Sequence, residues 1–279
     1  MNIKGINKIA VFGCGWLGLP LAKSLIIKGF YVKGSTTSVP KLNILATAGI
    51  APFLVQVNPE ISGDSIDDFF DVDLLIINIP PGRNTDKADE YGLKMQRIAD
   101  CISNSSIHKV IFISSTSVYP ETNQEVDENL IQMADSPSAL RMLNAEKIFK
   151  NLRDIETTVI RMAGLIGPER HPGRFFAGKE NIPNGLAPVN LIHLDDCIGV
   201  IDYVIEHKLW EETFNGVAPT HPTKSAFYDL ASLELYQKNA VFIDELKEYK
   251  TVSAAKILHK GYQFKHPDLM KWLIQTPQN

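Results

Sequence analysis

Lys8-Ile9-Ala10-Val11-Phe12-Gly13-Cys14-Gly15-Trp16-Leu17-Gly18 is the stretch on which the fold turns. After Lys8 it opens as a short apolar run, the pattern of a strand buried on both faces of a parallel sheet. Three glycines follow at the spacing GxGxxG. A helical pattern then takes over, with Leu17, Leu21 and Leu25 at i, i+4 and i+8 beside Ala22 and Ile26. Pro20 falls near the first turn, where a missing N–H matters least, and Gly29 closes the helix as a C-terminal cap. Phe30 to Lys33 reads as a second strand. A lone GxGxxG is a weak signal, but between a strand and a helix of one βαβ unit it has a physical meaning. Gly13 permits the tight turn, Gly15 lets backbone approach a pyrophosphate, and Gly18 lets helix and strand pack closely. The helix start adds N–H groups and partial positive charge, through Trp16 and Leu17. The alternative is a glycine turn that holds no ligand.

Outward from this unit the alternation continues. Helical patterns cover 40–49, 66–70, 88–104 and 138–152, and strands are expected at 52–57, 73–79, 109–114 and 157–161. Repeated βα units with apolar strands give an α/β class, a Rossmann-like doubly wound parallel sheet. From about 165 the texture changes: Gly164 to Pro188 is rich in Gly, Pro, Arg and Asn. A helix at 194–208, a strand at 213–217, a helix at 225–232 and a helical patch at 253–258 follow. The expected division is a dinucleotide-binding domain over 1–165 and a small C-terminal substrate lobe over 166–279.

The 279 residues are 44% hydrophobic and 22% charged, with a net charge of −4, so a core can be buried and a mainly electrostatic nucleic-acid binder is excluded. Cys14, Cys101 and Cys197 are too few and too scattered for a disulfide framework or a zinc site. Ile9 to Ala22 is apolar enough to suggest a signal peptide, but Gly13, Gly15, Gly18 and Pro20 interrupt it and no cleavage pattern follows. No run reaches the roughly 20 apolar residues of a membrane span. The expectation is a cytoplasmic monomer or homodimer acting on a small molecule, with no membrane or nucleic-acid partner.

Cofactor choice is read at the end of the second strand. Lys33-Gly34-Ser35-Thr36-Thr37-Ser38 has no Asp or Glu there to bond a ribose 2′-hydroxyl. Hydroxyls from Ser35, Thr36 and Thr37, with Lys33 and Lys41 as candidate cations, favour NADP, with NAD as the other possibility. The competing reading is that these hydroxyls cap the next helix. Ile79, Pro80 and Pro81 end the central strand and would wall a nucleotide beyond it; Arg83 is a candidate anion binder there.

Several segments, in order, resemble the extended short-chain dehydrogenases/reductases, also called the NAD-dependent epimerase/dehydratase family. Ser114-Ser115-Thr116-Ser117-Val118-Tyr119-Pro120 is similar to the family's SSxxVYG segment, and Arg161 to Pro168 (RMAGLIGP) to its RxxxIYGP segment. Val189 to Asp196 (VNLIHLDD), Phe214-Asn215 with Thr223 to Tyr228, and Lys250 to Tyr262 resemble three further segments. The start GCGWLG points to an atypical branch. The resemblance implies a catalytic role for Ser115, hydrogen-bonding a reacting oxygen, against the equal alternative that it only shapes the loop at the strand's C-terminal end, and places Ser114 in the cofactor site.

The departure is the catalytic pair. The family sets Tyr and Lys four residues apart on a helix, so that the ammonium lowers the phenol's pKa. No YxxxK occurs in this chain. Glu146 fits the family's Glu, which puts Ser138 in the Tyr slot and Met142 in the Lys slot. Tyr119 is then the candidate substitute acid, against a packing role. Arg141 and Lys147 lie on the same helix; Arg141 could meet a carboxylate or phosphate, but a solvated helix face is the favoured reading.

Arg170, His171 and Arg174 would suit an anionic substrate group, or be incidental surface charge. His193-Leu194-Asp195-Asp196 suggests a metal, yet no companion ligand has metal spacing, so a helix-start role for the two acids is preferred. HExxH and GxSxG are both missing from the sequence. The function expected is an NAD(P)-dependent oxidoreductase or epimerase-like enzyme on a small carbonyl or sugar-derived substrate. The alternative is a non-catalytic NADP-binding sensor or scaffold.

Overall fold

The computed structural model describes residues 5–58, 60–81 and 88–275. The first unit begins with β1 (Lys8–Phe12), α1 (Gly18–Ile27), β2 (Tyr31–Thr36), α2 (Val39–Thr47), β3 (Ala51–Val57), β4 (Ile61–Gly63), α3 (Ile66–Phe70), β5 (Leu74–Ile77), α4 (Ala88–Ser103) and β6 (Lys109–Ser115). Then come β7 (Glu125–Val126), α5 (Pro137–Lys150), β8 (Glu156–Met162), β9 (Gly164–Ile166), β10 (Leu191–His193), α6 (Leu194–Glu206) and β11 (Thr213–Gly216). The chain closes with α7 (Lys224–Tyr236), β12 (Thr251–Val252), α8 (Ala255–His259) and α9 (Leu269–Gln275).

The central sheet has eight strands among the described residues, in the order β11-β8-β6-β5-β1-β2-β3-β4. β1 pairs in parallel with β2 on one side and β5 on the other, so the strand order reverses at β1. That reversal leaves a crevice outside the strand C-termini, the usual ligand position in such sheets. β5 consists of Leu74, Leu75, Ile76 and Ile77, all fully buried, as a strand covered on both faces should be. At the sheet's edge β4 pairs antiparallel with β3.

The division of the chain differs from a single cut near 165. One compact unit comprises 1–118, 135–160 and 201–213; the other comprises 119–134, 161–200 and 214–279. The reason is topological. The segment after β6 leaves to pair β7 with β12 in the second unit, and the chain then returns as α5. The second unit has its own apolar cluster, including Ile166, Leu191, Phe227, Ala231, Leu269 and Trp272. The stretch 164–188 is not loose: it holds β9, paired with β10, and a 3-10 turn at Pro172–Phe175. Gly173 packs so closely on α7 that an added Cβ would overlap the Ala231 carbonyl.

Candidate dinucleotide site

The glycine turn follows β1 at the strand-order reversal, and its three glycines do three different things. Gly13 adopts φ +103°, and a Cβ there would stand 2.6 Å from the Asn78 carbonyl oxygen. A Cβ on Gly18 would overlap the Gly13 carbonyl oxygen and lie 3.0 Å from its carbon. A Cβ on Gly15 would meet nothing within 4 Å, and Gly15 is exposed. Gly13 and Gly18 are therefore demanded by the fold, while Gly15 keeps open the space a pyrophosphate would fill. Trp16 is half-buried beside it. Leu17 is the N-cap of α1 but its side chain is buried in the core, so only its backbone faces the turn's opening.

The Ser35 hydroxyl accepts the Gly13 N–H at 2.9 Å and its carbonyl accepts the Cys14 N–H at 2.8 Å, so the residue braces the turn while its hydroxyl hydrogen takes no part in either bond. The reading of Lys33 is corrected. It is 2% exposed, and its ammonium donates to Asp68 Oδ1 at 2.8 Å, to the Asp68 carbonyl and to the Asp71 carbonyl at 3.1 Å. A lysine saturated beneath the sheet cannot hold a 2′-phosphate. Thr36 and Thr37 stand where β2 ends; Thr36 Oγ1 accepts the Ser38 N–H at 3.2 Å, while Thr37 and Lys41 are exposed. Cys14, inside the turn, is buried against the Val11 carbonyl, and burial pushes its thiol up to about 12. It is an inert packing group.

Ile79, Pro80 and Pro81 follow β5. The Ile79 carbonyl accepts the Tyr91 hydroxyl at 3.0 Å, and Pro80 is exposed. Arg83 lies outside the described residues. At the end of β6, Ser114 donates to the buried Glu146 of α5 at 2.6 Å, which fixes that helix against the strand. Ser115, the next residue, is half-buried, and its Oγ accepts the Ser117 N–H at 3.1 Å. Gly13, Gly15, Thr36, Thr37, Ile79, Pro80, Ser114 and Ser115 thus gather at the C-terminal ends of β1, β2, β5 and β6 in one unit. Within that unit Ser138 is exposed and Met142 is buried, while Lys147 is exposed as expected of a solvated face. Arg141 is not: its Nε and Nη1 are buried and make no hydrogen bond.

Tyr119, the candidate acid, belongs to the second unit and is packed into a hydrogen-bond network. The side chain is 1% exposed; its hydroxyl accepts from Arg161 Nη1 at 2.9 Å and donates to Asn215 Oδ1 at 2.9 Å. Burial raises the phenol above its ordinary value, against the pull of Arg161. Asn215 in turn donates its backbone N–H to Glu128 at 2.6 Å and its amide to the Ser253 carbonyl at 3.1 Å. Asn190 bridges to Lys250 and Val252, and Lys250 reaches the Tyr119 carbonyl at 2.7 Å. The segments that carry the family resemblance are hydrogen-bonded to one another, a link invisible in sequence because up to 131 residues separate the partners.

Asp195 and Asp196 open α6, yet they chiefly organise the tail. Asp196 accepts from the Tyr262 hydroxyl and from the backbone N–H groups of Lys265 and His266 at 2.6–2.9 Å. His266, missed as a companion of His193 and Asp195, brings three ligand-type atoms within 4.8 Å of one another. The Asp195 carboxylate is already held by His266 at 3.0 Å and by the Lys265 ammonium at 2.5 Å. A cation in that place opposes a metal, and the group is a closed hydrogen-bonded cluster. In the 164–188 segment, Arg174 bonds the Glu169 carbonyl and His171 accepts the Gly173 N–H, so both stabilise the turn itself. No helix among the described residues is long and apolar enough to cross a membrane.

No family model matches the chain. It is 34% identical to the protein YeeZ of Escherichia coli (strain K12) over 269 residues, covering 94% of this chain and 97% of that one. The UDP-glucuronic acid 4-epimerase of Bacillus cereus, solved with NAD, superimposes with a TM-score of 0.77 at 19% identity, covering 95% of this chain and 96% of that chain. The human epimerase family protein SDR39U1, solved with NADPH, gives 0.69 at 16% identity, covering 95% and 97%. The chain therefore belongs to one family with YeeZ, and its sheet order and glycine turn are those of a fold it shares with these NAD- and NADPH-bound epimerase-family structures.

Proposed function

We propose that the chain is an NADP-dependent oxidoreductase or epimerase-like enzyme acting on a small carbonyl or sugar-derived substrate. The observation that carries the reading is the open cradle over Gly15, beside a strand end with hydroxyls and no carboxylate. The backbone around Gly15 to Leu17 would hold the pyrophosphate, with the α1 N-terminus supplying donors and partial positive charge. Thr36, Thr37 and the exposed Lys41 would hold the 2′-phosphate, and Pro80 and Pro81 would flank the nucleotide. When bound, the dinucleotide supplies or accepts a hydride. Ser115 would donate its hydroxyl hydrogen to the reacting oxygen. With Tyr119 sealed in a buried network, the proton would come from water or from the substrate itself. The solved neighbours named above were determined with NAD and with NADPH, which supports a nicotinamide cofactor of one kind or the other.

A second reading, a non-catalytic NADP-binding sensor, draws on one observation. The positions that the resemblance assigns to the usual pair are Ser138, which is exposed, and Met142, which is buried, and neither side chain would move a proton. The discriminating experiment is NADPH oxidation across a panel of small and sugar-derived carbonyls, with Ser115→Ala as control. Turnover that collapses in Ser115→Ala supports the enzyme. Tight NADPH binding with no turnover on the panel favours the sensor, and turnover untouched by the substitution removes Ser115 from the mechanism.

A further inference from the structure

We infer that Asn78 is a positioning residue for the dinucleotide: its side-chain amide occupies the Gly13 carbonyl and so holds the glycine turn in the shape that binds an anion. The inference rests on the cofactor reading above and adds to it a residue outside the turn. In the sequence Asn78 is the first polar residue after the apolar run Leu74-Leu75-Ile76-Ile77. Asn is depleted in strands, and its short amide commonly bonds nearby backbone. Here that backbone belongs to the end of a different strand. The Asn78 N–H donates to the Phe12 carbonyl at 2.9 Å, which keeps residue 78 beside β1 at the point where the turn begins. The side-chain Nδ2 then donates to the Gly13 carbonyl at 3.3 Å.

Every hydrogen-bonding group of Gly13 is taken. Its N–H donates to Ser35 Oγ at 2.9 Å, and its carbonyl accepts both the Gly15 N–H at 2.9 Å and the Asn78 amide. β2 and β5, the two neighbours of β1, thus bring one side chain each to the same glycine. The Asn78 residue also fills the elbow of the turn. A Cβ on Gly18 would stand 3.2 Å from Asn78 Nδ2, and a Cβ on Gly13 would stand 2.6 Å from the Asn78 carbonyl oxygen. The two glycines that the fold demands are therefore demanded in part by Asn78. In contrast to Gly13, the N–H groups of Leu17 and Gly18, where α1 begins, make no hydrogen bond among the described residues. An anion is drawn to such donors and repelled by the negative end of a carbonyl. Two donors on the Gly13 carbonyl offset that negative end and leave the helix amides to dominate. Without the Asn78 amide the carbonyl keeps a lone pair unmet, and the turn loses its side-chain link to β5.

The test uses the full chain, with oxidised NADP titrated calorimetrically and the affinity scaled to the folded fraction. Asn78→Ala removes the donor without adding charge. Asn78→Asp keeps the shape, and its carboxyl can donate only when it carries a proton. Asn78→Ala should bind about tenfold more weakly than wild type at every pH, as the loss of one hydrogen bond predicts. Relative to wild type, Asn78→Asp should bind at least as weakly near pH 8 and recover as pH falls towards about 5, since the neighbouring carbonyl and phosphates favour its protonated form. A merely structural role would move the stability of the variants and not this ratio. In the ligand-free proteins, amide hydrogen exchange at Gly13 to Gly15 should quicken in both variants at neutral pH, with that of β6 unchanged. Wild-type affinity in Asn78→Ala, an Asn78→Asp ratio that stays flat with pH, or unchanged exchange in the turn would overturn the inference and leave the cofactor reading standing. A wild type that binds neither NADP nor NAD would sink the cofactor reading, and the inference with it.

Discussion

Gly15 and Gly18 are three residues apart in one turn, and the structure assigns them opposite consequences on substitution. A methyl group on Gly18 would overlap the Gly13 carbonyl oxygen, stand 3.0 Å from its carbon and 3.2 Å from Asn78 Nδ2. Relief requires the turn to move away from α1 by something on the order of 1 Å, because backbone atoms cannot rotate aside as a side chain can. Overpacking of this kind costs about 1–3 kcal/mol. A methyl on Gly15 would touch nothing within 4 Å, so Gly15→Ala should leave the unfolding free energy unchanged or slightly higher, since alanine restricts the unfolded chain. Its cost should appear on binding. The methyl occupies the space where phosphate oxygens approach the backbone, and losing one or two charge-assisted hydrogen bonds forfeits about 3 kcal/mol. At about 1.4 kcal/mol per decade, that is roughly a hundredfold in affinity. Urea unfolding of the ligand-free chain and fluorescence titration with NADPH separate the two. If Gly15→Ala unfolds as early as Gly18→Ala, or binds NADPH as wild type does, the open cradle is not where the pyrophosphate sits.

Three other outcomes follow from the same geometry. Tyr119→Phe removes a hydroxyl bonded to Arg161 and Asn215 and should cost about 1–3 kcal/mol of stability in urea, with turnover per folded molecule unchanged; lost turnover at full stability would restore Tyr119 as the acid. Lys33→Met should leave the ratio of NADPH to NADH affinity where it was, because that ammonium is spent on Asp68 and Asp71; a changed ratio would put Lys33 back at the cofactor. His193 is pushed down to about 4 by burial and then by His266, from an ordinary 6.5. Between these values the unfolded chain binds a proton that the folded chain refuses. The contribution is intact above pH 6.5 and is lost as pH falls towards 4, by at most about 3 kcal/mol at ~1.36 per pH unit. Thermal melts of His193→Gln across that window should show a flatter acid limb than wild type; an identical limb would place the titration elsewhere.

The regular part of the fold was legible because it is written in local pattern. The glycine turn, the apolar strands at β1, β5 and β6, and helices such as α3 and α4 all lie within a few residues of where periodicity puts them. What escaped was either too short or too distant. β7, β9, β10 and β12 are two or three residues long, below any periodicity, and exist because a partner strand is supplied from elsewhere. Lys33 read as a cofactor cation because β2's alternation cannot reveal that Asp68 and Asp71 wait beneath it. His266 was invisible beside His193 for the same reason: their neighbourhood is made by Asp196 gripping the 262–266 segment. Ser35 carries a second task that its place in the sequence does not show, since its hydroxyl also accepts the Gly13 N–H.

The pattern of what was kept and what was lost along the family's motifs has a physical logic. Tyr119, Arg161, Asn215 and Asp196 each complete a buried hydrogen bond and Asn190 a partly buried one, so replacing any one strands a partner at about 1–3 kcal/mol. Positions 138 and 142, where the sequence resemblance would put a Tyr/Lys pair, carry no such obligation. Ser138 is exposed, so a phenol there would contribute little to folding. Met142 is 4% exposed, so a lysine in its place would have to give up its hydration and would regain the loss only through a bound partner. In terms of stability, positions 138 and 142 constrain the choice of residue less than the hydrogen-bonded side chains do, because no partner is stranded when either is replaced by a residue of similar polarity.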